Sequence, residues 1–184
     1  MPTRFLGSDF QINILDIADG IAGNQQLPQV TTLSDGRFAV VYQDDFNGGT
    51  ADNDPIAAIF NSDGTTSSGF VRVNGFVGLE TQPHDAALPG GGFGVVWTDS
   101  LHAAGTADAA PTNINYQRVN ADGSISTPEL PIGDFGLSVE NPAIATLSTG
   151  RQVVAFESTF SATDHDVWLN VVSADGLTTQ FFAS

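Results

Sequence analysis

Apolar residues in this 184-residue chain come in short bursts. None holds a helical 3.6-residue spacing for longer than about one turn. Phe38-Ala39-Val40-Val41-Tyr42, Phe93-Gly94-Val95-Val96-Trp97 and Val153-Val154-Ala155-Phe156 are almost wholly apolar, β-branched or aromatic, and preceded by glycine turns. That pattern predicts strands covered on both faces. Each follows a shorter run (residues 29–33, 86–88 and 143–147) across a turn containing Asp-Gly, Gly-Gly or Thr-Gly, which is a hairpin signal. A third strand is expected over 56–60, 114–119 and 167–172. An Asp-Gly turn and a fourth strand then follow, over 70–74 and, cut short by the chain end, 180–184. Residues 10–13 resemble a fourth-type strand, and 13–22 carry the one weak helical pattern.

The bursts repeat with a period near 55 residues. Pro28, Pro83 and Pro142 each stand 14 residues before an aromatic, Tyr42, Trp97 and Phe156. The later turn recurs as Asn61-Ser62-Asp63-Gly64, Asn120-Ala121-Asp122-Gly123 and Ser173-Ala174-Asp175-Gly176. Spacing kept over so many marks signals a repeat array. It divides the chain into a lead-in, 1–24, and repeats 25–80, 81–137 and 138–184. Four strands per unit predicts an all-β fold of β-propeller-type blades, with the β-trefoil as the alternative. Because propellers close with four or more blades, the open ends of three predict a homodimer that completes a ring.

Composition narrows the partners. Seventeen aspartates and four glutamates face five arginines and no lysine, a net charge of −16. That charge repels phosphate backbones and anionic lipids, so nucleic-acid binding is not expected. No run is apolar and long enough to span a bilayer, and the first residues lack a signal-peptide core, so membrane insertion and an N-terminal signal peptide are not expected in this chain. With no cysteine, disulfides and thiol chemistry are excluded.

The repeats resemble a tandem β unit of very large secreted bacterial proteins of the RTX and adhesin type. The pattern Gln-x-x-Pro-x-Val-x-x-Leu, Gly-Gly-Phe-x-Val-x-Trp, Asn-x-Asp-Gly is carried by Gln25, Pro28, Val30, Leu33, Gly36, Phe38, Val40 and Tyr42. In the second unit it is carried by Pro83, Leu88, Gly91, Gly92, Phe93, Val95 and Trp97. Glu80 and Val139 depart from the glutamine, and Tyr42 and Phe156 from the tryptophan. The resemblance implies an exported protein, secreted or at the cell surface, and brings no catalytic residues.

Candidate chemistry gathers between the second and third strands, where loop length varies from unit to unit and binding commonly resides. Asp44, Asp45, Asp52 and Asp54 in the first loop, and Asp164 and Asp166 in the third, are candidate ligands for calcium, which takes six to eight oxygens. Strand-start capping is the competing role for Asp54, Asn113 and Asp166, which occupy one equivalent position. Tyr42, Trp97 and Phe156 could offer stacking faces to a glycan, against the alternative of core packing. His84, His102 and His165 are too scattered for zinc, and no Gly-x-Ser-x-Gly elbow exists. The function expected is a non-enzymatic binding or adhesion module that displays variable loops, calcium-stabilised and carbohydrate-binding. A propeller lyase or hydrolase acting on polysaccharide, or a structural spacer, are the alternatives.

Overall fold

The computed structural model describes residues 24–45, 53–75, 78–100, 112–125, 127–133 and 138–182. These form three four-stranded antiparallel sheets, each a meander of sequence neighbours. Sheet 1 holds β1 (Gln25–Thr32), β2 (Phe38–Asp44), β3 (Asp54–Phe60) and β4 (Val71–Arg72). Sheet 2 holds β5 (Leu79–Ala87), β6 (Phe93–Ser100), β7 (Thr112–Val119) and β8 (Leu130–Gly133). Sheet 3 holds β9 (Ser138–Thr146), β10 (Gln152–Ser161), β11 (Asp164–Val172) and β12 (Thr179–Phe182). Three separate sheets agree with blades and leave no place for the trefoil alternative. The expected strand at 10–13 and helical pattern at 13–22 lie outside the described residues.

The repeat reaches the level of single hydrogen bonds. In the first hairpin turn the amide of Gly36 donates to the Leu33 carbonyl; Gly91 and Leu88, and Gly150 and Leu147, do the same. These glycines take φ of 87°, 89° and 81°, a left-handed conformation that costs other residues energy. In the Asp-Gly turns Asp63, Asp122 and Asp175 each accept from the backbone amide two residues on. Much of the aspartate content is therefore turn chemistry.

The first strands begin several residues earlier than the pattern suggested. Leu27, Gln82 and Asn141, each just before the repeated proline, have φ of 53°, 56° and 54°, and the pairing register shifts there. A bulge at this point lets the strand pass through a proline that cannot donate to the ladder.

The sheets stack face against face. Leu33, Ala39, Val41, Ala57, Ile59 and Val73 of sheet 1 and its turn meet Phe93, Val95, Trp97 and Val119 of sheet 2. Val96, Ile114, Tyr116 and Ile132 of sheet 2 meet Val139, Val154, Phe156 and Val172 of sheet 3. A third cluster, Val40, Tyr42, Ile56, Ala58 and Phe60, is buried on the other face of sheet 1. The outward face of sheet 3 instead exposes Val167, at 77%, and Leu169.

Candidate functional site

Strand ends next to the variable loops form one polar rim. On sheet 1, Asp44 and Asp54 are paired across β2 and β3, and Asp45 accepts the Asn24 amide. All three are buried. Asp54 is held by the Arg72 guanidinium at 2.6 Å and the Asn74 amide at 2.7 Å, and Asp44 accepts from Gln25 Nε2 at 3.1 Å. Asp52 lies outside the described residues. Asp164 and Asp166 begin β11 on sheet 3, exposed. The candidate calcium ligands are thus split between sheets 1 and 3. Among the described residues no three carboxylate or histidine groups are placed to share a metal ion.

Tyr42, Trp97 and Phe156 are core residues, 5%, 0% and 1% exposed. A ring covered on both faces cannot stack on a sugar, so the glycan-platform expectation for these three gives way to packing. Among the described residues, Phe160 and Trp168 of sheet 3 are accessible aromatics at the rim, with ring centroids 6.1 Å apart. Phe160 is 45% exposed and Trp168 half-buried. Both sit near Asp164 and Asp166 on β10 and β11. Sequence reasoning missed them because no repeat mark points to either: the register places Ile56 and Asn115 where sheet 3 has Trp168.

Among the described residues, a buried acidic group was also missed. At the rim end of the contact between sheets 1 and 2, Glu80 of β5 lies opposite Asp99 of β6, which lies opposite Asn113 of β7. Asn115 Nδ2 donates to Asp99 Oδ2 at 2.7 Å and to Glu129 Oε1 at 2.6 Å, and Glu129 Oε2 accepts the Gly75 amide at 3.0 Å. Glu80 is only 2% exposed. Desolvation first, then the charges of Asp99 and Asp54, push its carboxyl up to about 8. Glu129 is raised by burial as well. Further along β5, burial lifts Asp85 to about 7. The only signal in the sequence was the glutamate standing where the repeat has glutamine.

A second polar chain crosses from sheet 2 to sheet 3. Thr98 donates to Gln82 Oε1, which also accepts the Asn141 amide at 2.9 Å, while Gln82 Nε2 donates to Asn141 Oδ1 at 2.9 Å. Asn141 continues to Glu157 at 3.1 Å, and Glu157 pairs with His165. The hydrogen bonds of Asn141 and His165 hold the Glu157 carboxyl below its usual range.

With this geometry in view, comparison with solved structures decides the architecture. A Hadza microbial sialidase matches 85% of the chain with a TM-score of 0.67 at 13% identity. The sheets are propeller blades. An endo-arabinase from Bacteroides thetaiotaomicron matches 86% with a TM-score of 0.53, also at 13% identity. The chain spans 37% of the sialidase's length and 60% of the endo-arabinase's, so these blades correspond to part of each. No protein-family profile matches the chain, nor does any curated protein.

Proposed function

We propose that this chain is a non-enzymatic carbohydrate-binding or adhesion module of an exported bacterial protein, with rigid blades holding a recognition rim. The observation that carries the reading is the Phe160–Trp168 pair beside Asp164 and Asp166: Phe160 is exposed, and Trp168, which packs on one side against the core between sheets 2 and 3, is only half-buried, on a frame whose repeated aromatics are all internal. Aromatic faces pack on apolar sugar faces while carboxylates accept from hydroxyls. Calcium bound by rim aspartates would stiffen the same edge. A glycan-array screen followed by calorimetry tests it: Phe160→Ala and Trp168→Ala should each weaken binding at least tenfold while the fold persists. Binding unaffected by both variants would end the proposal.

Self-association belongs to the same reading. The exposed Val167 and Leu169 face of blade 3 is the surface for a second copy. Head-to-tail completion of a ring would also need the far face of blade 1, which is already buried within the chain. Light scattering on wild type and Leu169→Asp distinguishes a dimer through this face from a monomer.

The polysaccharide-hydrolase alternative draws on the fold shared with a sialidase and an endo-arabinase and on the Glu80–Asp99 pair. Both carboxylates are nearly fully buried. A general acid must reach its substrate within hydrogen-bond distance, so this pair serves the enzyme reading less well than the open rim serves binding.

A further inference from the structure

Three equivalent positions pair across the first two strands of each blade: Gln25 with Asp44, Glu80 with Asp99, and Val139 with Ser158. In blade 1 an amide donates to the carboxylate at 3.1 Å. In blade 3 neither partner is charged. In blade 2 the donor has become a second acceptor, and both acids are more than nine-tenths buried. Two buried acceptors face one another where the repeat elsewhere has a donor or nothing. Such an arrangement is costly unless a proton on one of them, or a cation between them, relieves it.

The surroundings supply further oxygens. Glu80 Oε1, the Ser100 carbonyl oxygen and Asp99 Oδ1 lie 3.1, 3.3 and 3.4 Å from the point that a Cβ on Gly78 would occupy. Glu80 Oε2, Asn113 Oδ1 and Asn115 Oδ1 are buried without a hydrogen-bond partner, and all three residues are more than nine-tenths covered. Two amide donors also reach the pair, Asn74 to Glu80 and Asn115 Nδ2 to Asp99, and the remaining groups around the point are oxygens. An inward movement of about 1 Å or less by the three around Gly78 would reach the 2.3–2.6 Å of calcium ligation.

We propose that Glu80, Asp99, the Ser100 carbonyl and Asn113 form a site for a hard divalent cation, calcium-sized, that ties the start of β5 to the rim ends of β6 and β7, with Asn115 holding the Asp99 carboxylate in place. The site uses two carboxylates with amide and carbonyl oxygens, so it needs no third acid. It is distinct from the exposed Asp164 and Asp166 of sheet 3, lies beside Asp54 of sheet 1, and stands whether or not the module binds a glycan. The position of Gly78 is part of it: a side chain there would fill the space in which the oxygens converge.

The test is a thermal melt of the full chain at pH 7.5, first in chelator, then with calcium chloride or magnesium chloride. Terbium luminescence excited through tryptophan is read alongside, since Trp97 precedes Asp99 by two residues on the same strand face. Calcium at a hundredfold excess over its Kd should raise Tm by about 5–10 °C. Glu80→Gln recreates the Gln25–Asp44 pairing, and it and Gly78→Ala should each fold in chelator while losing at least four-fifths of that rise and of the terbium signal. Asp164→Asn with Asp166→Asn should keep both. Three results would overturn the site: no calcium response in the wild type, a response intact in Glu80→Gln and Gly78→Ala, or one lost only when Asp44 and Asp45 are changed.

Discussion

The two contacts between neighbouring blades are built on the same frame and finished differently. Between blades 1 and 2 the apolar core around Trp97 ends in a layer of acids and amides, with Glu80, Asp99 and Glu129 near Asp54 and Asn74. Between blades 2 and 3 the core around Phe156 ends in neutral groups. At the rim end Thr112 bonds Val139; further in, Asn170 donates to the Ile132 carbonyl, and at the opposite, turn end Gln152 reaches across to the Ala86 carbonyl at 3.0 Å and accepts from Tyr116 at 2.8 Å. The equivalents of Glu80 and Asp99 are Val139 and Ser158, so a blade does not require charge at these positions. What differs between otherwise matched interfaces is a better guide to function than what they share, because the shared part is accounted for by folding.

The largest effect is expected at the neutral interface, where packing leaves no slack. A Cβ on Gly94 would sit 2.1 Å from Gln152 Oε1 and 2.6 Å from the Tyr116 ring. Gly94→Ala should therefore cost about 3 kcal/mol by overpacking, seen as a lower denaturant midpoint at unchanged slope. At the acidic interface the closest neighbour of the same probe at Gly78 stands 3.1 Å away, so Gly78→Ala in chelator should cost under about 1 kcal/mol. Equal losses from the two glycines would erase the distinction drawn between the interfaces.

The frame was legible because its marks are local. Leu33, Gly36 and Asp63 act within a few residues of themselves, and their spacing carries the turn and the hairpin with it. The bulges at Leu27, Gln82 and Asn141 were not legible, since a proline in isolation reads as a strand boundary. The rim was read in part. Asp44 and Asp54 do meet, but Glu80 and Asp99 are 19 residues apart and come together only through a hairpin register. Burial of Trp97 and Phe156 depends on the preceding sheet packing over them, and Tyr42 lies in the cluster on the far face of sheet 1, none of which a single repeat can reveal.

Protonation offers a second, smaller separation of the two contacts. Glu80 and Asp85 hold their protons to about 8 and about 7 in the folded protein, whereas the unfolded chain releases them near the ordinary values of 4.5 and 3.8. The folded state therefore binds more protons across that window, and stability falls as pH rises through it. In chelator, stability should drop by about 2 kcal/mol between pH 5 and pH 8, followed by urea melts. The exposed turn aspartates work in the opposite sense. Hydrogen bonds lower Asp35, Asp63, Asp122 and Asp175, and their contribution is lost only as pH falls below about 4. Stability should peak near pH 4–5. Glu80→Gln should flatten the alkaline side, and an unchanged slope in that variant would place the titration elsewhere.

The smallest effect concerns the strand that lines each blade's edge. Gln82 and Asn141 sit at equivalent bulges of blades 2 and 3 and exchange an amide–amide bond and an amide–backbone bond, both 2.9 Å. Blade 1 has Leu27 at that position, which makes no such link. These bonds are exposed, so each should contribute no more than about 1 kcal/mol. Asn141→Ala removes the side-chain bond, frees Glu157 from one donor and leaves alanine in a left-handed conformation that asparagine tolerates better. Asn141→Gly keeps the backbone relaxed while deleting the same side chain. If the stitch matters, both variants lose stability and speed hydrogen exchange in β9 and β5. If only backbone strain matters, the glycine variant stays at wild-type stability.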